Sequence, residues 1–256
     1  MTTCKNCGRQ TETRFCPDCG QSTAVKRLEM ATIVRDLPSI VLNVDRGFLY
    51  NVVQLAPRPG YAIKDYLDGR RKPFQHPLTF MLIILGAMLV AMNLMEVHYY
   101  DPVQDAWMSP QQAAFWRDYD ATQQNWIHYY KFYIPFYLPW MALVYCLWLR
   151  LMGQRYTYAE GVCISFFNSA QMTAPQIVVL VLAYLVGRTS FARISDWAIN
   201  WPIMCALWAA QFYQLANPAL ARTRRWMHAL GGSALLFAFS YAMIYLFLAF
   251  MRRLGA

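Results

Sequence analysis

Five stretches of this 256-residue chain are long, apolar and free of Asp, Glu, Lys and Arg: 77–95, 132–149, 161–187, 198–216 and 229–250. A helix needs about 20 such residues to cross a hydrocarbon core of roughly 30 Å. Backbone polar groups in lipid must be satisfied within the segment, which commits each stretch to a helix. The expected fold class is an all-α polytopic membrane protein with about five transmembrane helices. Composition agrees, at 57% hydrophobic and 14% charged, where a soluble domain carries roughly 25% charged residues.

The first 20 residues hold no apolar run of the kind that forms the core of a secretory signal, so the N-terminus is expected to stay uncleaved and inside. With the N-terminus inside, 17 Lys and Arg fall on the cytosolic side and 6 outside, the asymmetry that positive-inside retention produces. This orientation predicts a bacterial inner-membrane protein with a cytosolic N-terminus and a periplasmic C-terminus. Arg252 and Arg253 run against the bias, but a short tail carrying two charges can cross, and its side chains can snorkel.

Of seven cysteines, Cys4, Cys7, Cys16 and Cys19 form two Cys-x-x-Cys-Gly knuckles, and Cys146, Cys163 and Cys205 lie within apolar stretches as small hydrophobes. A Cys-x-x-Cys turn brings two thiolates to one edge of a metal tetrahedron, and two turns complete it. Gly8 and Gly20 fit the left-handed position that opens such a turn. The reading is a zinc ribbon over 1–24 with a structural Zn2+, since four thiolates leave no open position for substrate or water. A redox pair is the alternative, but it lacks the surrounding βαβ unit. Only Lys5, Arg9 and Arg14 are basic in the first 25 residues, with Phe15 the one aromatic. That is thin for a phosphate-binding surface, so nucleic acid is not an expected partner and a protein-docking role is favoured.

Residues 25–76 read as amphipathic interfacial helices, and 77–256 as the transmembrane domain. Met30, Ile33, Val34, Leu37, Ile40, Val41 and Val44 trace one apolar face; Phe48, Leu49, Val52 and Val53 trace another. Ala56-Pro57-Arg58-Pro59-Gly60 reads as a turn, and a short helix from Tyr61 to Leu67 is stopped by Gly69. Arg70, Arg71 and Lys72 then precede the first span, to orient it or to contact anionic lipid headgroups. Cys16-Pro17-Asp18-Cys19-Gly20-Gln21, Asp45-Arg46-Gly47-Phe48, Arg58-Pro59-Gly60-Tyr61 through Tyr66, Gly69, Arg70-Arg71 and Pro77 resemble an uncharacterised bacterial family of zinc-ribbon membrane proteins, a domain of unknown function. The resemblance covers the first 95 residues and implies architecture, with no activity or catalytic residues to carry over. A looser similarity, by span count, is to five-span Yip-type membrane proteins.

Thr157-Tyr158-Ala159-Glu160 reads as a capping box that starts the third helix, which gives Glu160 a structural duty. From Thr157 to Gly187 an unbroken helix would measure about 46 Å, so a kink is expected at Pro175. Asn168, Ser169, Gln171 and Thr173 on this span, with Gln211 and Gln214 on the next, mark a polar zone near the cytosolic side. They either hydrogen-bond between helices or line a ligand site. Pro135 and Pro139 predict a kink in the second span. Ala234, Ala238 and Ala242 form a small-residue ridge for internal packing or for a partner subunit. In the outer loop, Ser109 and Gln112 cap a helix carrying Trp107, Phe115, Trp116, Tyr119 and Trp126, expected on the outer leaflet or against a periplasmic partner or glycan.

The spans hold no charged residue or histidine of the kind that pumps and ion-coupled carriers place in the bilayer. The sequence presents no nucleophile triad, phosphate loop or paired carboxylates, and nothing in it sets an oligomeric state. Two readings follow: an interaction, regulatory or scaffold component of a membrane complex, and a lipid or small-molecule handling protein that uses the polar zone. Membrane lipids are partners in either.

Overall fold

The structure, a computed structural model, describes residues 1–25, 27–30 and 47–253. A two-stranded antiparallel hairpin, β1 (Thr2–Thr3) and β2 (Gln10–Thr11), carries the first cysteine pair. Helices follow in order: α1 (Gly47–Leu55), α2 (Pro59–Leu67), α3 (Pro77–Met95), α4 (Pro110–Leu151), α5 (Tyr158–Val186) and α6 (Thr189–Ile194). A π-helical turn (Ser195–Asn200) leads into α7 (Trp201–Leu215), and α8 (Arg222–Arg253) completes the bundle. The expected face from Met30 to Val44 lies almost wholly outside the described residues.

Among the described residues, four helices are long and apolar enough to cross a membrane: Pro77–Met95, Phe132–Leu151, Tyr158–Val186 and Arg222–Phe247. The fourth sequence window, 198–216, differs, because its α-helical part, α7, has 15 residues and its start is taken up by the π-turn. Even so, α6, the π-turn and α7 form one continuous helical run, which meets α5 through Trp208–Asn168 and Gln176–Met204. At one end, Gln104 meets both the end of α5, through Gly187 O at 3.3 Å, and the start of α6, through Thr189 N–H at 3.3 Å. At the other, Asn217 lies against Gly153, in the turn that precedes α5.

Two other expectations change. The outer-loop helix and the second span are one 42-residue helix, α4, because the Ser109–Gln112 capping box starts it and Pro135 and Pro139 do not end it. Pro175 lies inside a single 29-residue α5, so that run is one helix rather than two half-helices. Ala234, Ala238 and Ala242 face outward on α8, while Gly232, Ser233 and Leu236 face the bundle, so the ridge does not serve internal packing. The reason is register: the inner face needs Gly232, where a Cβ would come within 2.8 Å of the Phe212 ring.

The core runs from the first turns of the spans outward. Tyr66 of α2, Phe74, Phe80 of α3 and Phe167 of α5 form an aromatic cluster with centroids 5.4–6.4 Å apart. Helix α1 docks on the segment before α3 through two devices. Gly47 lies so close to that segment that a Cβ would stand 2.6 Å from the Phe74 carbonyl carbon. Asn51, fully buried, donates Nδ2 to Gln75 O and accepts Gln75 N–H at Oδ1, both at 3.1 Å. Its opposite face exposes Leu49 at 71% and Val53 at 62%, apolar surface suited to lipid.

At the far end, Asp105 and Arg193 form a bidentate pair at 2.9 and 3.1 Å, joined by Thr189 Oγ1 and Tyr99 O. Arg193, whose guanidinium lies over the Trp116 ring, holds the Asp105 carboxyl below its usual range. The depressed pKa gives a contribution that is complete above the unfolded value near 3.9 and is lost as pH falls through the folded one. Trp fluorescence reporting this cap should therefore stay constant from pH 7 to pH 5, whereas Asp105→Asn should weaken the cap across that range; a wild-type transition near pH 5 would refute the assignment. Gly47→Ala should cost about 1–3 kcal/mol, seen as a lower Tm in detergent. An unchanged Tm would show that α1 does not dock as described.

Candidate metal centre and intramembrane polar network

The two knuckles repeat one backbone pattern. Gly8 N–H donates to Cys4 O at 2.9 Å and Gly20 N–H to Cys16 O at 2.8 Å; Cys4 N–H donates to Arg9 O and Cys16 N–H to Gln21 O, both at 2.8 Å. Each glycine has positive φ, 79° at Gly8 and 69° at Gly20, a region that side chains disfavour. The pattern turns the four Sγ atoms inward, to within 4.8 Å of one another. Cys4–Cys19 and Cys7–Cys16 are 3.6 and 3.5 Å apart, far beyond a disulfide bond. They match the roughly 3.8 Å edge of a tetrahedron with metal–sulfur bonds of about 2.3 Å. Asn6, and then the Gln21 backbone, draw the Cys19 thiol down to about 6. Arg9 and Asp18 pair across the two knuckles. The four cysteines could hold a metal ion, and all four ligand positions are filled by thiols.

The ribbon is seated on the helical body. Gln21 bonds the backbone of Gly69, Arg71 and Lys72, and Arg27 makes a bidentate pair with Glu160, each contact at 2.7 Å. Glu160 also completes the capping box with Thr157. The basic triplet is engaged locally: Arg70 reaches Asp65 at 3.5 Å and Arg71 lies over the Tyr66 ring. Lys72 packs its side chain near Gly20.

The polar residues of the spans separate into two groups. Asn168 and Gln211, 1% and 0% exposed, meet through Tyr145 of α4. Asn168 Oδ1 accepts from Tyr145 Oη at 2.8 Å and from Trp208 Nε1 at 3.0 Å, while Tyr145 Oη lies 3.2 Å from Gln211 Oε1. One hydroxyl proton cannot serve both acceptors, and Gln211 Nε2 stands buried without a partner. Turning the Gln211 amide resolves both, because Nε2 then donates to Tyr145 Oη and Tyr145 donates to Asn168. The chain of bonds ties α4, α5 and α7 together.

Gln171 and Gln214 do not join that group; they cap the elbow between α1 and α2. Gln171 Nε2 donates to Leu55 O at 3.2 Å, at the end of α1. Gln214 Oε1 accepts Gly60 N–H at 2.9 Å and Tyr61 N–H at 3.2 Å, in the first turn of α2, where the cap residue Arg58 supplies no side-chain bond. These are the orphan groups that every helix end must satisfy. Gly60 lets the elbow approach, since a Cβ there would stand 2.6 Å from Gln211 O. Ser169 and Thr173 are buried on α5. Sequence reasoning missed Tyr145, Trp208, Asn51 and Gln21, whose types are ordinary in their segments. Asn51 gave a signal as an amide within Phe48–Val53, and Gln21 as the last residue of the Cys16–Gln21 motif.

At the far end, Trp107, Phe115, Trp116, Arg193 and Ile194 line a groove of about 640 Å³.

Asn168→Leu strands two buried donors and should cost more than the average of roughly 0.6 kcal/mol for an interhelical bond in membranes. Gln171→Leu and Gln214→Leu should instead speed amide exchange around 55–61 while sparing α3. A Tm loss for Asn168→Leu no larger than for Ser169→Ala would count against the network.

A family model described as "Protein of unknown function (DUF3667)" matches residues 45–89. No curated protein and no solved structure matches the chain. The matched segment includes Gly47, Asn51, Gly60, Tyr66, Gly69 and Gln75, the positions through which α1 and α2 dock on the rest of the body.

Proposed function

We propose that this chain is a bacterial inner-membrane protein with five spans, a cytosolic zinc ribbon and a periplasmic C-terminus, acting as an interaction, regulatory or scaffold component of a membrane complex. Four long apolar helices support the membrane reading, and the continuous helical run from α6 to α7 supports a fifth crossing. The basic excess on the ribbon side supports the orientation. Four thiols in tetrahedral spacing favour zinc over harder cations. The ribbon would present its outer surface, with Arg14 over the exposed Phe15 ring, to a protein partner. Exposed Leu49 and Val53 would anchor α1 in the cytosolic leaflet, with Lys72 near its headgroups.

The observation that carries this reading is the closed four-thiol set fixed to the helical body by Gln21 and Arg27. Such a site offers structure and display, with no position left for substrate. A second reading, lipid or small-molecule handling, draws on Gln171 Oε1, buried beside the elbow without a hydrogen-bond partner.

Purified protein should contain one zinc per chain, and chelation should expose the first 25 residues to protease while the spans stay protected. Mass spectrometry in native-like lipid separates the two functions. A stoichiometric protein lost on substituting Cys4 and Cys7 is the expected result; a retained lipid or solute lost in Gln171→Leu would favour handling instead. Labelling of Cys4 from outside intact cells would overturn the orientation.

A further inference from the structure

Gln21 follows the second cysteine knuckle and is 4% exposed, although its neighbours Gly20 and Ala24 lie in water. Its side-chain amide spans the loop between α2 and α3. Nε2 donates to Gly69 O at 2.9 Å, and Oε1 accepts Arg71 N–H and Lys72 N–H, both at 3.1 Å. Its own carbonyl accepts Cys16 N–H, so the knuckle that orients two thiols also sets where this amide points. The first knuckle contributes as well, because the Lys5 side chain lies over Gly69. Gly69, at φ 109°, adopts a backbone state that favours glycine, and no side chain of its own intervenes between loop and ribbon.

The loop is well placed to transmit a change. Directly after it, Phe74 enters the aromatic cluster with Tyr66 and Phe167, and Gln75 pairs with Asn51 of α1. The ribbon has little besides the metal site to keep its shape: Cys4, Thr11, Cys16 and Gln21 are its buried side chains among residues 1–25. Segments of this kind fold with their metal and unfold without it.

We infer that the ribbon is a metal-dependent latch on the loop 69–72, in which the metal-bound second knuckle holds Gln21 across the loop and loss of metal frees the entry to α3 and the docking of α1. The inference rests on the metal reading above and assigns that site a regulatory output inside the same chain. A change of metal or thiol state in the cytosol would thereby alter the interfacial helices without any ligand entering the bundle.

Hydrogen exchange of the full-length protein in nanodiscs tests this, read by mass spectrometry at the Lys72 amide, with metal content measured in parallel. Three samples suffice: zinc-loaded, chelator-stripped, and zinc-loaded Gln21→Ala, which keeps every cysteine. The expected result is Lys72 exchange about tenfold faster in both the stripped protein and the variant, with normal zinc in the variant and unchanged protection in the middle of α5. Normal zinc uptake with Lys72 equally protected after stripping overturns the latch alone. A protein that takes up no zinc overturns the metal reading and the latch with it.

Discussion

A helix that ends among other helices, away from water, leaves backbone groups that need partners, and the ribbon-bearing half of this protein is organised around meeting that need. The elbow between α1 and α2 places the last carbonyl of one helix and the first N–H groups of another against the spans. Unpaired, each would cost about 1–3 kcal/mol. Gln171 and Gln214 meet the requirement from helices distant in sequence, and Asn51 does the same for the backbone at Gln75. Amides suit the role because one side chain carries both donor and acceptor. They also remain uncharged, which keeps them tolerable at membrane depth.

The same device recurs at the ribbon. Gln21 pairs with the backbone of 69–72 as Asn51 pairs with Gln75. Glycines set the distances: Gly47, Gly60 and Gly69 each lie where a second surface comes close. The result is a layered end, with ribbon on loop, loop on aromatic cluster, and cluster on the long helices. Ion pairs brace it at Arg27–Glu160 and around Asp65, which meets both Arg58 and Arg70. The opposite end uses a different solution, a buried Asp105–Arg193 pair braced by a hydroxyl and a carbonyl. A pair of that kind is held in place by its geometry rather than by net attraction.

Much of this was legible in the sequence. Charge-free runs marked the four helices long and apolar enough to cross a membrane, because lipid demands such segments, and the cysteine spacing with its glycines marked the four thiols that converge. Thr157 and Glu160, Ser109 and Gln112 announced their helix starts through local bonds. What failed was also local in origin. The outer-loop helix and the second span read as separate elements, yet they are one α4, and the fourth window begins in a π-turn that apolarity alone does not reveal.

Tertiary structure alone decided the partners of the amides. Asn168, Gln171, Gln211 and Gln214 look alike in sequence, but two of them form a network with Tyr145 and Trp208 while the other two cap the elbow. Their difference lies in which helix end or donor stands opposite, a fact set by helix packing across more than 100 residues of chain. The sequence determined which segments must leave water and which cysteines must converge, since both follow from local composition and spacing. The fold decided what each buried polar atom meets, since a hydrogen bond depends on ångström-scale placement that no single segment carries.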